Sequence, residues 1–175
     1  MTTLRNKILL NQLNPFNPRT YKTHSMQNFK QKILSQYQTL LQDKIDIYQD
    51  LINSLTEDAQ NDAKSSAGDK HETTLSKLHI EQEKIANKLK EALEQQAILS
   101  KLDMEQVTDN VVLGSLVQTN HLTVLVCTAL PKITVDNQAV FAISPQSPLG
   151  IQLMHKTIGA EFPVNNVTYK ILEIS

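Results

Sequence analysis

Residues 75–99 have the sequence LSKLHIEQEKIANKLKEALEQQAIL, and the spacing of its apolar side chains decides the first half of the fold. Steps of three and four residues connect eight positions, and this alternation is the heptad pattern of a helix that packs along one seam. The eight positions are Leu75, Leu78, Gln82, Ile85, Leu89, Ala92, Gln96 and Leu99. Two of them are glutamines, so the predicted seam carries polar groups as well as apolar ones.

The segment upstream of this seam carries a second helical pattern. Its positions are again three or four residues apart, with three consecutive four-residue steps between Phe29 and Leu41, a stutter-like run that locally unwinds a supercoil. The positions are Met26, Phe29, Ile33, Tyr37, Leu41, Lys44, Tyr48, Leu51 and Leu55. Two seams of about 30 residues each predict an antiparallel helical hairpin on the order of 45 Å long.

Prolines and glycines mark the limits of this hairpin. All six prolines and three of the four glycines lie outside residues 19–113, and the exception is Gly68. Because proline blocks helix interiors and glycine weakens them, we expect the two helices to join near Gly68. Residues 1–24, which contain the pairs Asn14-Pro15 and Asn17-Pro18, are predicted to form an irregular extension.

The last third of the chain has a different chemistry. β-Branched runs alternate there with turn residues, which is typical of strands. Examples are Val111-Val112, Thr123–Val126 and Val167–Ile171. The expected architecture is therefore α+β, with a long antiparallel coiled-coil hairpin over residues 25–104 followed by a small β-rich domain over residues 105–175.

Composition excludes several classes of protein. The 175 residues are 40% hydrophobic, which suits one folded domain or two small ones. With 17 basic against 18 acidic residues, the chain lacks the excess of cations that sequence-independent DNA binding needs. Cys127 is the single cysteine and follows an apolar run, so it is predicted to be a buried thiol in a reducing compartment. No segment approaches the ~18 apolar residues of a membrane span, and a soluble cytoplasmic protein is expected.

The acidic tip of the predicted hairpin, residues 57–72, is the candidate functional site. It holds five acidic side chains against two lysines, Lys64 and Lys70. Asp69 and Glu72 are three residues apart at a predicted helix start, so both carboxylates can lie on one face near the helix end that favours negative charge. One interpretation is a capping box with Asp69 at the cap position. The other is a pair of oxygen ligands for Mg²⁺, and the two interpretations do not exclude each other.

Two ordered sets of residues resemble the Gre family of bacterial transcription elongation factors. The tip matches the family's pattern of Gly-Asp, two variable residues and Glu-Asn at Gly68, Asp69 and Glu72, whereas Thr73 stands in place of the asparagine. The second set is in the tail and is the more specific of the two, because its members follow one another in a fixed order. It consists of Ser147, Pro148, Leu149, Gly150, Gly159 and the strand Tyr169–Ile174. The resemblance extends over about residues 26–174.

The resemblance implies a fold and a mechanism. The β-rich domain would be FKBP-like, with the Ser147–Gly150 segment opening a short helix. The hairpin would enter the secondary channel of RNA polymerase, where Asp69 and Glu72 would help to hold a shared Mg²⁺ while the polymerase hydrolyses backtracked RNA. Such a factor is not itself an enzyme, binds no cofactor alone and acts as a monomer. The nascent RNA 3′ end inside the polymerase would be its nearest nucleic acid.

The resemblance also indicates two further contacts. The surface around Ser147, Pro148, Leu149 and Gly150 is predicted to dock at the rim of the channel. Lys64 and Lys70 are candidate contacts to RNA phosphate, although lysines in a polar loop are more often only solvated.

Two alternatives to a cleavage factor stay open. A regulator that binds in the same channel without cleavage is favoured by Thr73 and the altered residues after it. A coiled-coil chaperone or structural protein is the other, and it predicts exposed apolar residues at the tip, where the sequence is polar and acidic.

Overall fold

The computed structural model describes the backbone of residues 18–65, 69–103 and 108–175, and the side chains of residues 26–61, 75–103 and 108–175. Two long helices are followed by a domain that contains a six-stranded sheet. The predicted α+β fold class is therefore confirmed. The chain divides into two compact units, of which one spans residues 36–101 and the other combines the chain up to Ser35 with Leu102–Ser175.

The two long helices are α1, Pro18–Ser65, and α2, Asp69–Ser100. Helix α1 begins inside the segment that was predicted to be an irregular extension through residue 24, so that boundary moves to Pro18. Proline suits a helix start, because its ring fixes φ near the helical value and its missing N–H has no partner there in any case. Residues 1–17 lie outside the described part of the chain.

Burial in the unit 36–101 follows the predicted seams closely. All eight seam positions of α2 are buried or partly buried. On α1 the agreement holds at Tyr37, Leu41 and Tyr48, and then fails at Leu51, which is 43% exposed. Ile52 takes that place in the seam. A run of four-residue steps overshoots the 3.6-residue turn, so the apolar stripe rotates around the helix and departs from the predicted position there.

The sheet domain contains six strands and one short helix. They are β1 (Leu116–Thr119), β2 (Thr123–Val126), β3 (Leu130–Val135), β4 (Gln138–Ile143), α3 (Pro148–Leu153), β5 (Glu161–Val164) and β6 (Val167–Ile174). The strand order is β3-β4-β2-β1-β6-β5, in which only the β2–β4 pairing is parallel. Two of the predicted strand runs fall in β2 and β6. The third, Val111-Val112, forms no strand, although the N–H of Val111 donates to the carbonyl of Lys156 at 2.9 Å and its side chain is fully buried.

Two hairpins of the sheet close through tight turns of asparagine and aspartate. Asp136 and Asn137 connect β3 to β4 with φ of 48° and 63°, and Asn165 and Asn166 connect β5 to β6 with the same values. Positive φ at both central residues is the signature of the type I′ turn, whose twist matches that of the strands. Asparagine and aspartate tolerate this backbone conformation better than other residues with a side chain.

Both faces of the sheet are buried at its centre, because β2 is buried at all four of its positions. On one face, Val117, Val124 and Val126 pack in a cluster with Leu153 of α3 and Phe162 of β5. On the other face, a row of paired residues across three strands is buried as well. That row consists of Leu116, Leu125 and Ala142. A strand buried on both faces reads as a continuous apolar run, as TVLV does.

Candidate functional site

The acidic pair at the hairpin tip lies in the first turn of α2. Asp69 is the first residue of that helix and Glu72 is the fourth. Lys70 falls in the same turn, and Lys64 is the second-last residue of α1. The side chains of all four lie outside the described residues. The capping box places Asp69 just before the helix, whereas the helix begins one residue earlier, at Asp69 itself.

The position of this pair has a direct electrostatic consequence. The first turn of a helix presents backbone N–H groups without intrahelical partners and the positive end of the helix dipole, and both favour negative charge. Residues three apart are neighbours on the helix surface. Two carboxylates in this arrangement can supply oxygen ligands to Mg²⁺. The ion takes about six ligands, so water or the groups of a partner would provide the others.

The helices that carry the pair are held together by apolar and polar side chains. Ile85, Ala92 and Leu99 of α2 are buried. The two seam glutamines of α2 each donate a hydrogen bond to α1: Gln82 to Thr56 at 3.0 Å, and Gln96 to Gln42 at 2.9 Å. The sequence indicated the glutamines but not their partners, because Thr56 and Gln42 are not seam positions in the predicted heptad.

The Ser147–Gly150 segment opens helix α3, as the resemblance implied. Ser147 is the N-cap, and its hydroxyl oxygen accepts a hydrogen bond from the N–H of Gly150 at 3.0 Å. Pro148 occupies the first helical turn. A Cβ on Gly150 would lie 2.2 Å from the carbonyl oxygen of Ser144, so only glycine fits there. The motif therefore has a local structural reason, and its exposed neighbours are the groups available to a partner.

Ile151 is the exposed large hydrophobic side chain among those neighbours, and the sequence pattern was not used to find it. Its side chain is 62% exposed, whereas Leu153 of the same helix is fully buried. Leu149 packs against the core cluster of the domain. The signal was present in the helical spacing: Leu149 and Leu153 are four residues apart and share the inward face, so Ile151 between them lies on the opposite face.

The start of α1 and the β3–β4 turn, both in the unit that contains the sheet, form a second feature that the sequence did not show. The ammonium of Lys32 lies 2.7 Å from a carboxylate oxygen of Asp136, with side chains 58% and 55% exposed. An adjoining groove of about 380 Å³ is lined by Met26, Asn28, Phe29, Lys32, Asp136 and Gln138. Nearby in sequence, Lys30 is only 2% exposed; burial lowers the pKa of its ammonium group, and the charge of Asp103 opposes that shift.

The single cysteine is not a nucleophile. Cys127 is 3% exposed, and burial raises the pKa of its thiol to about 11, so almost none of the reactive thiolate exists at neutral pH. In the described ranges, no group of three or more histidine, cysteine, aspartate or glutamate side chains is placed to hold a metal ion. None of the helices described is long and apolar enough to cross a membrane.

Comparison with known proteins finds similar solved structures and no matching family. A scan against protein-family models finds no match, and no curated protein is matched. Among solved structures, the chain is similar to the GreA factor homolog 1 (Gfh1) of Thermus thermophilus, with 19% identity over 79% of this chain and 94% of that one, at a TM-score of 0.31. A second structure of the transcription factor Gfh1 gives 18% identity over 78% and 92%, also at 0.31. These values are too low for function to be transferred.

Proposed function

We propose that this chain is a Gre-like transcription factor that binds RNA polymerase and stimulates cleavage of backtracked RNA. The observation that carries the proposal is the acidic pair: Asp69 and Glu72 occupy the first turn of the second helix of a two-helix hairpin. The Ser147–Gly150 helix start gives independent support, because it reproduces the order of the family's tail motif in a capped helix. The protein acts as a cytoplasmic monomer.

The chemistry belongs to the polymerase, and the factor supplies ligands to it. In two-metal hydrolysis, one ion activates the attacking water and the other stabilises the leaving oxygen of the RNA. Asp69 and Glu72 help to hold one of these Mg²⁺ ions together with the polymerase's own groups, inside its secondary channel. The factor alone binds no cofactor and is not an enzyme.

The two lysines beside the acidic pair contact the RNA. Lys64 is the second-last residue of α1 and Lys70 follows Asp69 in α2, so each is within a helical turn of the hairpin tip. A lysine ammonium there can contact a phosphate at the 3′ end of the nascent RNA, as a point charge rather than a bidentate clamp.

The β-rich domain is the part of the chain that docks at the channel rim. The surface around Ser147, Pro148, Leu149 and Gly150 takes this role through the exposed side of α3, where Ile151 projects. The hydroxyl of Ser147 caps the helix and Gly150 is buried, so the partner meets the residues that these two position rather than the two themselves.

The test is a transcript-cleavage assay on artificially backtracked elongation complexes of the cognate RNA polymerase. Asp69→Ala/Glu72→Ala should lower stimulated cleavage by at least about 100-fold, because both metal ligands are lost, while co-sedimentation with polymerase is kept. The matched control is Glu91→Ala/Glu94→Ala, which removes two exposed carboxylates of the same helix at the same spacing. That variant should cleave like the unchanged protein.

The same assay separates the alternatives. A channel-binding regulator without cleavage is the second candidate, favoured by Thr73 beside Glu72, and it predicts that the unchanged protein co-sediments but stimulates no cleavage. A chaperone or structural coiled coil predicts neither binding nor cleavage. Loss of polymerase binding in the Asp69→Ala/Glu72→Ala variant would count against a purely catalytic role for the pair.

A further inference from the structure

Helix α1 carries a second row of apolar side chains outside the seam of the hairpin. The row consists of Leu40, Ile47 and Leu51, which are seven and four residues apart and therefore lie on one side of the helix. Ile47 is 56% exposed and Leu51 is 43% exposed, whereas Leu41 and Ile45 of the adjoining seam are buried. The apolar surface of α1 is therefore wider than its seam, and most of this second row is open to solvent.

A row of carboxylates runs beside the apolar row. Four acidic side chains lie within about 60° of one another around the helix axis, because each residue of an α-helix advances by about 100°. They are Asp43, Asp46, Asp50 and Glu57, and all four are exposed. The two rows are adjacent, with their centres roughly 90° apart around the helix. We call the seven residues of the two rows the shaft face.

The carboxylates of the shaft face lack cationic partners within the described part of the chain. Asp46 accepts a hydrogen bond from the neutral amide of Gln42 at 2.8 Å. None of the described lysines forms an ion pair with the other three carboxylates. Asp46 and Asp50 are four residues apart, a spacing at which like charges destabilise a helix. The acidic row therefore lowers the stability of the free protein, and a cationic partner would relieve that repulsion.

We propose that the shaft face binds a protein surface of RNA polymerase in which apolar side chains are flanked by lysine or arginine. This inference rests on the proposed function, and it adds a contact along the hairpin to the rim contact of α3. Single exposed apolar residues are normal on a protein, whereas an apolar patch rimmed by polar groups is typical of a binding surface. The acidic row determines the charge of the partner, because unpaired carboxylates attract cations.

The charge of the shaft face also argues against RNA as the group that it contacts. RNA phosphates are anionic, and a row of unpaired carboxylates repels them. Over residues 36–61, α1 has five acidic residues against one lysine, whereas α2 has four acidic residues against five lysines over residues 75–101. The acidic side of the hairpin is therefore the side of α1, and in the proposed complex this side faces protein.

The apolar row is tested by the affinity of variants for the cognate RNA polymerase. Ile47→Ser/Leu51→Ser changes two exposed side chains, so it should keep the helical circular dichroism signal and weaken binding by about tenfold or more. The matched control is Ile80→Ser/Leu93→Ser on α2, where the exposed fractions are 54% and 43%. The control should bind within about twofold of the unchanged chain, as exposed positions outside an interface do.

The acidic row is tested by replacing three of its members with their amides and measuring binding at several salt concentrations. The variant is Asp43→Asn/Asp50→Asn/Glu57→Gln. It should bind polymerase more weakly at low salt and with a flatter dependence on salt, because ion pairs with the partner are lost. The control replaces three exposed carboxylates of α2 and should keep the salt dependence of the unchanged chain. It is Glu83→Gln/Glu91→Gln/Glu94→Gln.

A probe other than polymerase separates this inference from the proposed function. The probe is a synthetic helical peptide with leucines on one face and lysines beside them, titrated into the isotopically labelled chain. Backbone NMR signals of residues 40–57 should shift, and Ile47→Ser/Leu51→Ser should weaken peptide binding by about tenfold. If the unchanged chain binds the peptide there but does not bind polymerase, the proposed function is wrong and the chemistry assigned to the shaft face is supported.

Three results would overturn the inference. One is equal affinity of Ile47→Ser/Leu51→Ser and Ile80→Ser/Leu93→Ser for polymerase. Another is a peptide response centred on the acidic tip, residues 57–72, or on the sheet domain instead of α1. The third is self-association in sedimentation experiments that Ile47→Ser/Leu51→Ser abolishes, because the shaft face would then bind a second copy of the chain.

Discussion

At the scale of single residues, the tail motif is explained by the local geometry of one short helix. Ser147 caps it, Pro148 fixes its first turn, and Gly150 allows the helix to lie against the backbone of Ser144 and Pro145. Each residue type meets a separate physical need: an oxygen acceptor, a fixed φ and the absence of a Cβ. The motif therefore specifies the position of α3, and through it the direction in which Ile151 points.

Replacing Gly150 tests this explanation. Gly150→Ala places a methyl group 2.2 Å from the carbonyl oxygen of Ser144 and 2.9 Å from the backbone of Pro145, so backbone must move. We expect a loss of about 3 kcal/mol in the free energy of unfolding, measured in urea. The matched control is Gly159→Ala, where φ is +87° but no atom lies within 4 Å of the new Cβ. Strain alone should cost about 1–2 kcal/mol there, and equal losses in the two variants would contradict the steric account.

At the scale of elements, the two long helices pack along a seam. Which side of a helix lies in that seam is shown by the burial of its side chains and not by their residue type. Ile85 is 7% exposed, whereas Ile80 of the same helix is 54% exposed, although the two residues are chemically identical. Their difference comes from the 3.6-residue period, which brings Ile85 to the seam and turns Ile80 away from it. The hairpin therefore has a contact side that single substitutions can distinguish.

An aspartate placed at each of these isoleucines should have opposite consequences. Ile85→Asp buries a charge without a partner between the helices and should destabilise the hairpin by more than about 3 kcal/mol. Ile80→Asp exposes its carboxylate to water and should change stability by less than about 0.5 kcal/mol. Thermal melting followed by the helical circular dichroism signal measures both, and an unchanged melting curve for Ile85→Asp would show that the seam is assigned to the wrong face.

At the scale of the whole molecule, the proposed function divides between the two compact units. The carboxylates proposed to bind metal belong to the unit 36–101, and the candidate docking helix α3 belongs to the unit that contains the sheet. Within the sheet unit, the start of α1 is tied to the β3–β4 turn by the ion pair of Lys32 and Asp136. That pair is more than half exposed and contributes at most about 1 kcal/mol, so the buried contacts of the unit carry most of its stability.

Because the two roles belong to different units, we expect a substitution in one unit to impair docking without impairing cleavage, and the reverse. Ile151→Asp changes a side chain that is 62% exposed, so it should leave the fold intact and weaken polymerase binding by about tenfold or more. Leu172→Asp, at a site 48% exposed on β6, is the matched control and should bind normally. Binding is measured by titration with polymerase, and cleavage at saturating factor should be close to normal for both. Equal weakening by the two substitutions would remove α3 from the docking surface.

Local patterns in the sequence anticipated much of this architecture. The heptad of α2, the joint of the helices near Gly68 and the strand TVLV each depend on neighbours within one or two turns or one strand. Such neighbours are close in space because they are close in sequence, so spacing and residue type suffice to indicate them.

The same reasoning indicated only part of the candidate site. The acidic pair was found from its spacing and the tail motif from its resemblance to the Gre family, whereas the exposure of Ile151 and the partners of the seam glutamines were not found. Thr56 and Gln42 were missed because neither belongs to the predicted pattern of α1, whose apolar stripe rotates around the helix through its four-residue steps. The role of Asp69 and Glu72 toward Mg²⁺ stays a prediction.

The sequence by itself determined the two long helices and their junction near Gly68, the strands β2 and β6, and where negative charge collects. Only the tertiary structure decided what those segments meet: Lys32 and Asp136 are 104 residues apart in the chain and 2.7 Å apart in space, and both faces of β2 are buried. The physical reason is the distance along the chain over which each interaction acts. Backbone preference and periodicity act over a few residues, whereas contacts between distant segments depend on how the packed elements close around one core.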